Sequence, residues 1–215
     1  MSYLAKLNLK TVQRNVQKDP VIARREKLGA AILVHPWDMM WRERMPRHWL
    51  PWLVSMPAET SLAICSLIMG GIIDKYPNIQ FAFAHGGGSF PATMGRIDHG
   101  HAVRPERCQT KTTKPPSSYA DRIYLDSLVH DPAMLQILLD KFGAERIALG
   151  TDYPFPLGEC EPGQLIEAMQ NGSAATKERM LSGTALEFLG LQREKFETEA
   201  SRAHSQWLIE LSKGS

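Results

Sequence analysis

A parallel α/β fold is what this sequence predicts. Short apolar, β-branched runs alternate with longer helical stretches, the pattern that builds right-handed βαβ units. Several of those runs stop abruptly at a histidine, an aspartate or a glycine, as strands do where they open onto a site. Four strands are expected, at Ala30–Val34, Ile79–Ala84, Arg122–Asp126 and Arg146–Gly150.

The helices between them carry their own start and stop signals. Val21–Leu28 reads as the end of a helix, with Gly29 behind it as the stop. An aromatic- and Met-rich connection over 37–56 leads into a helix from Pro57 to about Lys75. Pro57 suits its first turn, and Gly70-Gly71 is a weak spot inside it. Phe90–Val103 is the next helix, and the polar, Pro-rich 109–118 a loop. Pro132–Phe142 is a helix ending at Gly143. Shorter helical stretches follow at 163–169, 177–182 and 184–189, and an amphipathic helix is expected at 198–213. No internal repeat is evident. The chain divides into a leader (1–19), an α/β domain (20–197) and a terminal tail (198–215).

Bulk composition excludes some roles. Net charge is +2 without a basic stripe, which disfavours nucleic acid as a partner. The three cysteines, Cys65, Cys108 and Cys160, form no CxxC pair, so neither a disulfide framework nor a structural zinc knot is indicated. A reducing cytosolic setting fits. No sequence run approaches the roughly 18 apolar residues of a membrane span, so no membrane association is expected. The acid-free opening 1–17 reads as a solvated leader rather than a targeting presequence.

Three strand ends concentrate the chemistry. His35 follows Ala30–Val34, His85 follows Ile79–Ala84, and Asp152 follows Arg146–Gly150. Each has a plain structural role open to it: a hydrogen-bonded core histidine, or a turn-forming aspartate. Together, two imidazoles and a carboxylate suit zinc or a similar divalent ion. The glycines 86–88 permit close backbone approach to a ligand or leave amide donors free near Phe90, but their spacing matches no nucleotide fingerprint. Arg96 is either a surface charge or a guanidinium that forks onto a carboxylate. Trp37, Met39, Met40, Met45, Trp49 and Trp52 either line an apolar mouth or fill core. His99 and His101 are expected to be solvated.

Six separated stretches, in order, resemble the motifs of one family. They are Val34-His35-Pro36-Trp37-Asp38-Met39, Trp49-Leu50-Pro51-Trp52-Leu53-Val54, Met56-Pro57-Ala58-Glu59-Thr60, Phe83-Ala84-His85-Gly86-Gly87-Gly88, Leu128-Val129-His130-Asp131-Pro132 and the run from Leu149 to Glu159. The family is that of the 2-amino-3-carboxymuconate-6-semialdehyde decarboxylases, in the amidohydrolase superfamily. The similarity runs from about Pro20 to Glu197 and corresponds to the carboxyl-terminal part of the family's chain.

The resemblance implies a (β/α)8 barrel of the TIM type, with its second half, about four βα units, in this chain. It implies one zinc ion (Zn2+), with His35 and Asp152 among its ligands and His85 as the acid/base. It places Trp52 at the substrate mouth, and Arg96 against the substrate of the neighbouring subunit in a homodimer. The implied reaction is a non-oxidative decarboxylation of a small dicarboxylate semialdehyde, needing no organic cofactor. That reaction diverts tryptophan and kynurenine catabolism from quinolinate and NAD synthesis. The family's His-x-His pair, which completes its zinc site, has no match upstream of His35; the one His-x-His here is His99-Gly100-His101. Two alternatives remain open: a related zinc-dependent decarboxylase of aromatic acids, and an inactive chain that associates with full-length subunits.

Overall fold

The computed structural model describes residues 5–6, 20–29, 31–37 and 39–196. Strands β1 (Ala5–Lys6), β2 (Ile32–Val34), β3 (Phe81–Phe83), β4 (Ile123–Asp126) and β5 (Ile147–Ala148) form one sheet in sequence order. Every adjacent pair is parallel, with Ile32 opposite Phe81, Phe83 opposite Leu125, and Leu125 opposite Ile147. The last four strands lie inside the four apolar runs. The first lies in the expected leader and was not foreseen: Ala5 and Lys6 pair with Ile32 and Leu33. A two-residue strand carries no periodicity to read.

Between β2 and β3 come α2 (Met56–Met69) and α3 (Ile72–Lys75), after α1 (Pro20–Leu28) has led into β2. The single helix expected from Pro57 to Lys75 is therefore two. Gly71 breaks it by taking a left-handed φ of 69°. Helices α4 (Phe90–Val103) and α5 (Pro105–Cys108) join β3 to β4, and α6 (Pro132–Phe142) joins β4 to β5. After β5 come α7 (Gln164–Glu167), α8 (Ala174–Glu178) and α9 (Thr184–Leu189). The expected helix 198–213 lies outside the described residues.

Local chemistry sets these boundaries. Asp131 caps α6, its Oδ1 accepting the Ala133 N–H at 2.8 Å, while Pro132 occupies the first turn, where no N–H is required. Gly143, at φ 78°, ends the same helix. Helical winding before α2 begins at Pro51, not Pro57, through one wide turn over Pro51–Ser55. That turn lets the chain pass Pro57, which has no N–H to give to the preceding turn.

The run Pro51–Met69 spans 19 residues and is long and apolar enough to cross a membrane by length and composition, contrary to the sequence expectation. Its Ala63, Ile64, Leu67 and Ile68 are fully buried in the protein interior, the placement of a core helix. Alternation along the strands divides the remaining core between two faces. Ile32, Val34, Phe81, Phe83, Ile123, Leu125 and Ile147 meet α2, α4 and α6 on one side. Ala82 and Tyr124 face the other side, where Phe188 of α9 covers them.

Candidate metal centre

The three strand-end residues meet. His35 Nε2 lies 3.2 Å from Asp152 Oδ1, and His85 Nε2 lies 3.6 Å from Asp152 Oδ2. The two imidazoles stand edge to face with centroids 4.8 Å apart. All three donor atoms fall within 4.8 Å of one another. Their side chains are 14–15% exposed, enough to be reached but largely dry.

One hydrogen bond determines what this trio can do. His35 Nδ1 lies 2.8 Å from the Pro36 carbonyl oxygen, which can only accept, so Nδ1 carries the proton. In the neutral ring, Nε2 then presents a lone pair to the Asp152 carboxylate at 3.2 Å. Two acceptors facing each other repel unless a cation joins them, either a second proton on Nε2 or a metal ion. Zinc held at about 2.0–2.1 Å from each would set two tetrahedral donors about 3.4 Å apart, close to that separation. A ligating histidine that donates its second nitrogen to a backbone carbonyl is a common feature of metal sites. The donor set therefore fits a divalent ion, with His35 and Asp152 as ligands and His85 beside the second carboxylate oxygen.

The backbone is held in place against local preference. His85 and Asp152 have φ of 58° and 52°, a left-handed region that costs a non-glycine residue about 1–2 kcal/mol. The glycines that follow His85 have a packing role. Gly86, Gly87 and Gly88 all have positive φ, and a Cβ on Gly86 would come within 2.3 Å of Val129 Cγ1. The close approach foreseen for this triplet is thus to the protein's own interior.

Asp126, at the end of β4, belongs to the site and was not singled out from the sequence. Its Oδ1 accepts the N–H groups of Gly86 at 2.8 Å and Leu128 at 3.2 Å. Burial pushes its carboxyl upward, opposed by the nearby His85 and these backbone donors. Burial in turn holds His85 below the ordinary imidazole range, against the pull of Asp126 and Asp152. Its place in the same strand-end class as Asp152 was the available signal. Asp126→Asn keeps an Oδ1 acceptor for the two amides but removes a charge that favours imidazolium. His85 should then titrate at still lower pH, which histidine NMR would register; an unchanged titration would exclude the coupling.

Two cavities flank the trio. One, of about 270 Å³, is bordered by His85, Leu128, Val129 and His130. The other, of about 280 Å³, is bordered by His35, Trp37, Arg42 and Trp49. Trp52, Met56, Leu157 and Asp152 border both. Trp52 thus sits at the mouth, whereas Trp37, at 59% exposure, lies on its rim. Arg96 is exposed on α4 and is not among the side chains bordering either cavity. His99 is exposed as expected, but His101 is buried at 3% exposure, correcting its placement in solvent.

The residues 37–55 are tied down from below. Buried Glu59 accepts the Met39 N–H at 2.8 Å, and Ser55 Oγ donates to the Met40 carbonyl at 2.7 Å. Arg42 does not stand out in the sequence, because the connection has no periodicity to place it.

Comparison with known proteins accords with this geometry. Residues 5–191 match the amidohydrolase family. The 2-amino-3-carboxymuconate-6-semialdehyde decarboxylase of Dictyostelium discoideum is 54% identical over 177 residues, covering 82% of this chain and 49% of that protein. Its namesake from Caenorhabditis elegans is 46% identical over 167 residues, covering 77% and 42%. The chain spans about half the length of the curated relatives it matches. Among solved structures, 5-carboxyvanillate decarboxylase from Novosphingobium aromaticivorans DSM 12444, complexed with manganese, superposes with a TM-score of 0.72. That superposition covers 86% of this chain and 56% of the other at 22% identity, a likeness of fold. With a TIM-type arrangement of parallel strands, and a family match that takes in every described strand, the chain belongs to the amidohydrolase family.

Proposed function

We propose that this chain contributes metal ligands, the acid/base and an apolar substrate wall to a zinc-dependent, non-oxidative decarboxylase. Its proposed substrate is 2-amino-3-carboxymuconate 6-semialdehyde. The observation that carries this reading is the convergence of His35 Nε2 and His85 Nε2 on the Asp152 carboxylate, with His35 Nδ1 turned to the Pro36 carbonyl oxygen. The similarity to two decarboxylases of that name supports the choice of substrate. The three free cysteines accord with a cytosolic setting.

His35 and Asp152 would hold the ion. A divalent ion there supplies Lewis acidity toward water and toward a substrate oxygen. His85, kept neutral by burial, would take a proton from water at Nε2 and return it to a carbon of the conjugated chain. The hydroxide so formed would add to the neighbouring carbon of that chain; the carbon–carboxylate bond then breaks, CO2 leaves, and the electron pair of that bond re-forms the double bond as hydroxide departs. Trp52 and Met56 would press on the substrate plane and exclude bulk water. Arg96 is exposed on α4 and borders neither cavity; in this reading it would reach the substrate of a neighbouring subunit in a homodimer.

The test separates ligand from acid/base. Purified chain is loaded with zinc, its metal content measured, and the near-ultraviolet absorbance of the semialdehyde followed. His85→Ala should keep its zinc and lose turnover by about 100-fold or more, as expected for removal of a general acid/base. Loss of zinc in that variant would make His85 a ligand and overturn its assigned role. A zinc-loaded but inert parent chain would instead favour the inactive, associating form.

A further inference from the structure

The cavity beside His35 holds a fixed positive charge that the proposed chemistry has not yet used. Among the described side chains bordering it, Arg42 is the one fixed cation and Asp152 the one acid. The Arg42 guanidinium lies over the Trp52 ring at 5.4 Å from its centroid. Trp52 is itself braced by Trp49, with centroids 5.7 Å apart and planes 27° from parallel. No carboxylate pairs with Arg42 among the described residues.

A cation–π contact with a ring leaves the N–H groups of a guanidinium without a hydrogen-bond acceptor. Those groups form the fork that matches a carboxylate. The segment carrying Arg42 is shaped for a purpose beyond linking two elements. Met39, Trp41, His48 and Trp49 have φ of 43°, 57°, 59° and 57°, four left-handed non-glycine residues around one short turn, Arg42–Arg44. Strain of this kind persists only where surrounding contacts hold it, and it concentrates at ligand clamps. Here the Met39–Glu59 and Ser55–Met40 hydrogen bonds supply the hold.

We propose that Arg42, held over the Trp52 ring, is the carboxylate anchor of this cavity and selects planar, conjugated carboxylates. The proposal rests on the decarboxylase reading for its substrate class. The anionic end of the ligand meets Arg42, its plane lies along Trp49 and Trp52, and its far end points to His35 and Asp152. An uncharged ligand of the same shape gains the stacking but not the fork. Arg42 is therefore a binding and specificity residue and takes no part in proton transfer.

The test reads binding alone, without turnover. The full zinc-loaded chain is titrated with isophthalate, and separately with isophthalamide, its uncharged counterpart, while tryptophan fluorescence is followed. Isophthalate should quench the parent chain saturably. Arg42→Gln should weaken isophthalate by tenfold or more and leave isophthalamide unchanged, with Arg42→Lys in between. Arg42 is exposed, so a matched melting curve will show that each variant is folded. Equal isophthalate affinity in parent and Arg42→Gln would overturn the proposal. So would equal loss for both ligands, or failure of the parent to bind isophthalate. An inactive chain that still shows Arg42-dependent binding would refute the decarboxylase reading and leave the anchor standing.

Discussion

Asp152→Asn is expected to weaken zinc binding by more than about 100-fold, since even the partners behind metal ligands are worth about 10–100-fold. The variant keeps the side-chain shape and loses the carboxylate that His35 Nε2 and His85 Nε2 both face, at 3.2 and 3.6 Å. Competition against a chromophoric chelator measures the change. Stability without metal should move the other way or not at all. In the neutral ring the lone pair of His35 Nε2 faces Asp152, and an amide N–H in that place would satisfy it. A melting temperature at or above that of the metal-free parent is therefore expected alongside the lost zinc. Unchanged zinc affinity would remove the site.

Gly88→Ala should have the largest effect on folding. Gly88 sits at φ 63° and ψ −132°, a region open to glycine and hostile to every L side chain. A Cβ there would come within 2.2 Å of the Pro57 carbonyl oxygen. That atom is backbone and cannot swing aside, and it also accepts the Ser89 N–H at 3.2 Å. Strain and overpacking each cost about 1–3 kcal/mol, so a total near 3 kcal/mol or more is expected. In a domain of this size that lowers the melting temperature by roughly 10 °C. Circular dichroism melting checks it. Gly95→Ala is the control, because nothing lies within 4 Å of a Cβ there and its φ is ordinary.

The sequence was most legible where burial and backbone chemistry act locally. Ile32–Val34 and Phe81–Ala84 are apolar throughout because their strands are covered on both faces, and Pro36 and the glycines after His85 end them visibly. From that, His35, His85 and Asp152 could be placed at one mouth before any coordinates. Ala5–Lys6 could not be found, since its strand exists only through pairing with distant Ile32 and Leu33. Asp126 escaped for a related reason. Its partners, the Gly86 amide and the His85 ring, lie some forty positions away in sequence and reach it only across neighbouring strands. Arg42 belongs to a stretch whose left-handed residues are tryptophan, histidine and methionine, types that give no turn signal.

The strictly sequential strand order divides the molecule into two independently changeable ends. His35, His85, Asp126 and Asp152 all follow their strands, while the segments that precede strands, such as 109–118 before β4 and Ala144–Arg146 before β5, face away from the mouth. Affinity handles, fluorophores or short insertions in 109–115 should leave ion capture untouched. Exchange of 37–49, by contrast, should redirect ligand choice on an unaltered scaffold. Adaptation to a new acid would then require rewriting one connection rather than solving the fold again.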